Sequence, residues 1–324
     1  MYKYGVIGPG NVAALFAGIV ATLPDSEIVA VCSRSLDKAL AYSQLYGPMK
    51  CYDDYDAFLA DKNIDAVYVA TPHAQHYEYA RAALLAGKPV LCEKAFTVNA
   101  REARDLVLLS RQRKLPLMEI MWERYLPAVK MIKEEIKAGA IGDIVACEVN
   151  LCVSVPFNAS ERYFAPEAAS SALLDLGVYC ISPVWYMLGQ NPRDIKGFYF
   201  PTPVGTDMTD SFVVAYETCA CTVNCTLAAD SKGRGVRFIG TKGVIFAPDH
   251  PFIVEYTVQN EEGARTERAT ANTGHSYPIS EFNALLEYGG ESEVMPLDES
   301  VRMMELLDVL RADWGLTYKN DRQE

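Results

Sequence analysis

Along the first third of the chain, short β-branched runs alternate with longer segments whose apolar residues recur every three or four positions. YGVIG (4–8), EIVAVCS (27–33), DAVYVA (65–70), PVLCE (89–93) and LPLME (115–119) predict buried strands. NVAALFAGIVATL, SLDKALAYSQLYG, AQHYEYARAALLAG and NAREARDLVLLSRQRK, lying between them, predict helices. Gly87 stops the third of these, and Pro89 follows it. Such alternation specifies an α/β domain with a doubly wound parallel sheet, because parallel neighbours need crossover helices.

After Glu119 the rhythm changes. RYLPAVKMIKEEIKAGAIGD predicts one helix, and a second is expected from about Ser171 to Leu188. Around them come DIVACEVNL, DIKGFYF, DSFVVAYE, CACTVNCTLAA, GVRFIGTKGVIFA, FIVEYTVQ and ARTERATA, strands mostly without intervening helices. Runs of that kind make an α+β domain with an open, mainly antiparallel sheet. The expected division is therefore 1–121 and 122–324, with the terminal helices ISEFNALLEYGG and DESVRMMELLDVLRADWG in the second domain. No internal repeat or low-complexity tract interrupts this plan.

Composition narrows the function. A chain of 324 residues, 50% hydrophobic and 22% charged, has ample material for two packed cores. Its net charge of -12 argues against a nucleic-acid or anionic membrane partner, since both need clustered Lys and Arg. No run approaches the ~20 apolar residues of a membrane span, and MYKYGVIGPG has no signal-peptide core, so a cytoplasmic protein is expected. The nine cysteines have no metal-ligand spacing; Cys219, Cys221 and Cys225 read as core thiols, and no metal is expected.

Against that acidic background, GVIGPGNVA places Gly8 and Gly10 directly after a strand and Ala13 at the third fingerprint position. A tight turn, a backbone that approaches a pyrophosphate, and the amides of a helix starting at Asn11 and Val12 together form a dinucleotide cradle. An NAD site carries an acid about 20 residues beyond the loop to hold the ribose. This chain has Ser33 and Arg34 there, with Lys38 four residues on, so NADP is expected over NAD.

Ligands of open α/β sheets bind outside the carboxyl ends of strands. Glu93 and Lys94 sit at one such end, and Thr71, Pro72 and His76 follow another, all on the nicotinamide side. His76 is a candidate for orienting ribose or substrate. Asp175 and Tyr179, four apart in an otherwise apolar segment, share a helix face that either caps locally or lines a site. Trp122 and Arg124 open the second domain, and Arg162 is a candidate for a substrate hydroxyl or carboxylate.

In order and spacing, GVIGPGNVA, VAVCSRS, ATPHAQH, LCEKAFTVNA, MEIMWERYLP and ALLDLGVYCIS resemble the Gfo/Idh/MocA oxidoreductases, most of all their dihydrodiol and NADP-dependent D-xylose dehydrogenase branch. The resemblance implies an N-terminal Rossmann domain, NADP, and hydride transfer at a hydroxyl-bearing carbon of a sugar or cyclic diol. It matches Lys94 to the lysine of the EKP motif, and Asp175 and Tyr179 to the aspartate and the acid/base. Arg34 and Lys38 match the residues that hold the adenosine phosphate, and Trp122 an aromatic lining the substrate pocket. The chain departs in reading EKA, and in Ser170-Ser171 where glycines are usual. A sheet with one face covered by helices leaves the other for a partner, so a homodimer is expected. Retention of Lys94, Asp175 and Tyr179 disfavours a non-catalytic NADP sensor, and Ser33-Arg34 disfavours an NAD-dependent inositol-type dehydrogenase.

Overall fold

The computed structural model describes residues 1–159, 161–270 and 274–322. They form two compact units, Met1–Ile120 with His275–Met304, and Met121–Gly274 with Glu305–Glu324.

In the first unit, β1 (Tyr2–Ile7), β2 (Ser26–Cys32), β3 (Lys50–Tyr52), β4 (Ala66–Val69), β5 (Val90–Glu93) and β6 (Leu117–Ile120) form one sheet in the order β3-β2-β1-β4-β5-β6. Every pair is parallel. Helices α1 (Asn11–Val20), α2 (Leu36–Tyr46), α3 (Tyr55–Leu59), α4 (His73–Leu85) and α5 (Ala100–Arg113) connect the strands. β4, β5 and β6 are buried at every residue, which is why they read as unbroken apolar runs. β3 and α3 were not expected from the pattern; three and five residues are too short to show a period. The strand order reverses between β1 and β4, which makes their carboxyl ends the ligand-binding edge of a Rossmann sheet.

The first unit is not one stretch of chain. Helix Ser276–Tyr288, expected in the second domain, belongs to it. The Tyr4 hydroxyl, on a fully buried ring, donates to Asn283 Oδ1 at 2.5 Å, and Asn283 Nδ2 donates to Ser26 Oγ at 2.8 Å. Phe282 packs 6.4 Å from the Tyr4 ring, and Tyr2 donates to Glu287 at 2.8 Å. Burying the polar end of Tyr4 without such a partner would cost about 1–3 kcal/mol, so the helix completes this face of the sheet.

The second unit holds an eight-stranded sheet of β7 (Ile144–Cys152), β8 (Asp194–Pro201), β9 (Asp207–Ala215), β10 (Ala220–Thr226), β11 (Gly235–Gly240), β12 (Gly243–Pro248), β13 (Glu255–Asn260) and β14 (Gly263–Arg268). Its order is β14-β13-β12-β11-β7-β10-β9-β8, antiparallel except for the parallel pair β7 and β10. Ala271, the last residue of the expected ARTERATA strand, lies outside the described residues. α6 (Pro127–Lys137) packs on β13, and α7 (Val178–Leu188) on β7 and β10. Cys221, Val223 and Cys225 alternate inward along β10, with Cys147 opposite Cys221, and all nine cysteines are free thiols. The outward positions include Phe198, Phe200 and Val213. The expectation that no run approaches a membrane span needs correction: α7 closes an apolar helical run, Pro166–Leu188, long and apolar enough to cross a membrane, but 83% of its most apolar stretch is buried inside the protein.

Candidate active site

The loop after β1 is shaped by its glycines. Gly8 has φ +85°, and a Cβ there would stand 2.9 Å from the Ala70 carbonyl oxygen. Gly10 has nothing within 4 Å of the same position, so a ligand can come against its backbone. It is the N-cap of α1 and supplies no side-chain cap, and Asn11 and Val12 after it are exposed. First-turn amides in that state serve an anion. Ala13 is fully buried, and its carbonyl accepts the Tyr42 hydroxyl at 2.6 Å.

At the end of β2 the Ser33 amide donates to the Tyr52 carbonyl at 3.0 Å, and Ser33 Oγ accepts the Ser35 amide at 3.4 Å. That turn carries Arg34 outward, and Lys38 is exposed on the first turn of α2. The turn between Cys32 and Ser35 carries Arg34 and no acid, and Lys38 follows it beyond Asp37 on the first turn of α2, an arrangement suited to a phosphate.

After β4, Thr71 and Pro72 are half-buried, and Thr71 Oγ1 is buried with no hydrogen-bond partner among the described residues. After β5, Glu93 is 6% exposed and accepts the Tyr68 hydroxyl at 2.7 Å. Lys94 is the one residue of the stretch 90–100 that is not buried. Its peptide to Ala95 is cis. The segment behind it is tied to buried carboxylates: Glu119 accepts the Phe96 amide at 3.1 Å, and Glu102 the Val98 amide at 3.3 Å. The chain thus puts a lysine at the tip of a buried strand and fixes the backbone that carries it.

His76 takes part in that fixing and not in contact with a ligand. It is fully buried, with Nδ1 2.8 Å from the Ala95 carbonyl and Nε2 2.8 Å from the Thr71 carbonyl. It therefore has no surface to offer ribose or substrate. Burial, against the pull of the two carbonyls, holds its pKa down to about 4. The ring is neutral at pH 7 and donates to one carbonyl at a time.

In the second unit, Trp122 lies on the short helix Trp122–Tyr125 and is 4% exposed. Its Nε1 donates to the Tyr179 hydroxyl at 2.7 Å, and the two rings meet edge to face at 5.8 Å. Indole N–H is only a donor, so the contact favours a phenolate over a phenol. Asp175, 2% exposed, accepts the Ser171 amide at 3.2 Å and Arg162 Nη2 at 3.1 Å. Arg162 keeps 43% of its side chain exposed. The expected helix holds, but its entry at Leu173–Gly177 is a π turn.

Arg124 is placed elsewhere. It is fully buried, its Nε donates to Ser182 at 2.7 Å, and its guanidinium lies 5.9 and 5.7 Å from the Trp185 and Tyr186 rings. It serves the core and does not line a pocket. Phe252, 55% exposed and 5.1 Å from the Trp122 ring, extends the aromatic wall and was absent from the sequence reading. It stands in the loop after β12, and nothing local distinguishes it from the other phenylalanines.

The two halves find matching counterparts among known proteins. Residues 2–120 match the model of the oxidoreductase family with an NAD-binding Rossmann fold, and residues 129–246 that of the GFO/IDH/MocA C-terminal domain. The chain is 32% identical to the D-xylose 1-dehydrogenase (NADP(+)) of Hypocrea jecorina, across 98% of this chain and 93% of that one. It is 29% identical to the trans-1,2-dihydrobenzene-1,2-diol dehydrogenase of Mus musculus, across 99% of each. Its fold is similar to that of KijD10, a 3-ketoreductase from Actinomadura kijaniata crystallised with NADP and TDP-benzene: the TM-score is 0.87 at 23% identity, over 96% of this chain and 97% of that one. The chain belongs to the Gfo/Idh/MocA oxidoreductase family, alongside its dihydrodiol and D-xylose dehydrogenases.

Proposed function

We propose that this oxidoreductase is an NADP-dependent dehydrogenase acting on a hydroxyl-bearing carbon of a sugar or cyclic diol, with Tyr179 as acid/base and Lys94 as the cation that assists it. The observation that carries the reading is the indole N–H held on the Tyr179 oxygen at 2.7 Å. The relatives named for D-xylose and dihydrobenzenediol set the substrate class.

The first unit's residues fit NADP. The Gly10 position that a Cβ would fill, the bare amides of α1, the unpartnered Thr71 hydroxyl and the Arg34 and Lys38 cations would hold its diphosphate, ribose and adenosine phosphate. When bound, the nicotinamide supplies or accepts the hydride.

Tyr179 takes the proton from the substrate hydroxyl in oxidation and returns it to the carbonyl oxygen in reduction. A free tyrosine titrates near 10. A close cation lowers a group of this kind by roughly one to three units, and the Trp122 N–H works in the same direction. Lys94 also stabilises the oxygen as it gains charge. Asp175 and Arg162, already paired, orient the substrate's other hydroxyls, and Trp122 and Phe252 pack its carbon face. With all thiols free and Phe198, Phe200 and Val213 on the outer face of the second sheet, the protein in this reading is a cytoplasmic homodimer joined through that face.

The test is NADPH-forming absorbance on aldopentoses, aldohexoses, inositols and cyclic trans-diols, with NADP and with NAD, for wild type and Tyr179→Phe. Turnover with NADP that falls at least 100-fold in the variant is expected. Tight NADPH binding with no turnover on any of them would replace the dehydrogenase by an NADP-binding sensor.

A further inference from the structure

Two buried carboxylates lie beside the first turn of the helix that carries Asp175 and Tyr179, and the chemistry above uses neither. Asp207 and Asp210 on β9 are both fully buried. Asp207 Oδ2 accepts the Leu173 amide at 2.6 Å, and Oδ1 lies 3.4 Å from the Tyr318 hydroxyl. The Ser171 hydroxyl stands beside the same carboxylate and pulls its pKa down. Asp210 Oδ2 accepts the Cys225 thiol at 3.6 Å, and its Oδ1 is buried with no donor on it.

Neighbouring carboxylates in a dry interior cannot both be ionised. Burial first, and then the charge of Asp207, push the Asp210 pKa well above the carboxylate range. Asp210 therefore keeps its proton and hydrogen-bonds Asp207 with it, which accounts for the oxygen that receives no donor. Burial raises the Asp207 pKa as well, against the Leu173 amide and the other donors that pull it down, so Asp207 is the first of the pair to ionise. It stands at a helix N-terminus, where amides and dipole favour negative charge.

The carboxylate grips residues 171 and 173. Between and beyond them the backbone does two things: the Ser171 amide holds Asp175, and the π turn Leu173–Gly177 leads directly into Val178 and Tyr179. π turns are rare, and this one has an outside anchor.

We infer that Asp207 is a positioning residue for proton transfer, fixing the turn 171–175 so that Tyr179 stays under the Trp122 N–H and Asp175 on the Ser171 amide. The inference rests on the reading of Tyr179 as acid/base. Facing the acid pair are Tyr318, with the Arg311 guanidinium 5.3 Å from its ring, and Cys225, whose thiol meets Cys180. Around Tyr179 stand Asp175 with Arg162, and His250, which burial holds down to about 3.

The experiment compares Asp207→Asn, Asp210→Asn and Tyr179→Phe as full chains, each first shown to bind NADPH and to melt cooperatively. In Asp207→Asn the anion is lost and an N–H replaces an acceptor. Its kcat should fall about ten-fold with the KM for NADP unchanged. The rising limb of kcat/KM for alcohol oxidation should move up by about half a unit to one unit, as the phenolate loses its donor. Asp210→Asn supplies an N–H where the O–H was, so its kcat and pH profile should match wild type. A folded Asp207→Asn with wild-type kcat and limb overturns the inference, as does an equal shift in Asp210→Asn. Should Asp207→Asn fail to fold, Ser171→Ala removes one donor from the same carboxylate; a smaller shift in the same direction is expected, and no shift overturns the inference. Full activity in Tyr179→Phe would instead sink the acid/base reading itself, a result distinct from either.

Discussion

His76 shows how a residue suited to chemistry can be committed to architecture. Its imidazole bridges two carbonyls at 2.8 Å, joining the loops after β4 and β5 behind Lys94. The folded pKa of about 4 lies below the unfolded value near 6.5, so the unfolded chain binds the extra proton first as pH falls. The stability is therefore present above pH 6.5 and lost on the way to pH 4, about 3 kcal/mol in all. Urea midpoints of wild type should fall over that window, and those of His76→Asn should fall less; equal slopes would refute the assignment. His250 adds a contribution of the same sign in the second unit. The sequence shows where such a histidine stands relative to a strand end, but not that both its nitrogens meet main chain. The burial of Arg124 is hidden from the sequence for the same reason: it depends on what folds over the residue.

At the scale of elements, the nucleotide loop is the most legible part because its requirements are local. Gly8 needs a positive φ and Gly10 needs bare space, and both demands fall two positions apart in one turn. They predict different failures. Gly8→Ala meets the Ala70 carbonyl and should lower Tm even without ligand. Gly10→Val should leave the ligand-free Tm unchanged while raising the KM for NADP about ten-fold or more, because its branches occupy the ligand's side of the turn. A Gly10→Val protein with normal KM would remove the cradle from the cofactor site. The Asp207 contact had no such local signal. GTDMTDSF reads as a polar turn entering a strand, and only the packing of β9 against the π turn reveals two buried acids. The eight-stranded sheet was legible as mainly antiparallel, whereas the parallel β7 and β10 pair depends on a connection through β8 and β9 that no single run of residues encodes.

For the whole molecule, charge and assembly carry the next tests. A net charge of -12 repels an anionic cofactor at long range, so the exposed Arg34 and Lys38 make NADP binding depend on a small local field. Light scattering should give a dimer, and Phe198→Lys with Phe200→Lys should give a folded monomer; a wild-type monomer would end the proposal. The expected boundary at 121/122 falls one residue from the observed division, but the return of 275–304 to the first unit was not foreseen. A fragment of residues 1–120 lacks Asn283, the partner of the buried Tyr4 hydroxyl. It should have a lower urea midpoint than the same fragment joined to 275–304 by a flexible linker.

That return also sets a schedule for biosynthesis. A ribosome releases the strands of the nucleotide sheet within the first 120 residues, yet the helix that caps Tyr4 emerges only after more than 150 further residues have been made. Until then one side of β1 is open, and the half-finished sheet must wait beside the ribosome while the second sheet is synthesised. The first domain to begin folding is among the last parts of the molecule to finish, so its apolar surface stays uncovered for most of translation.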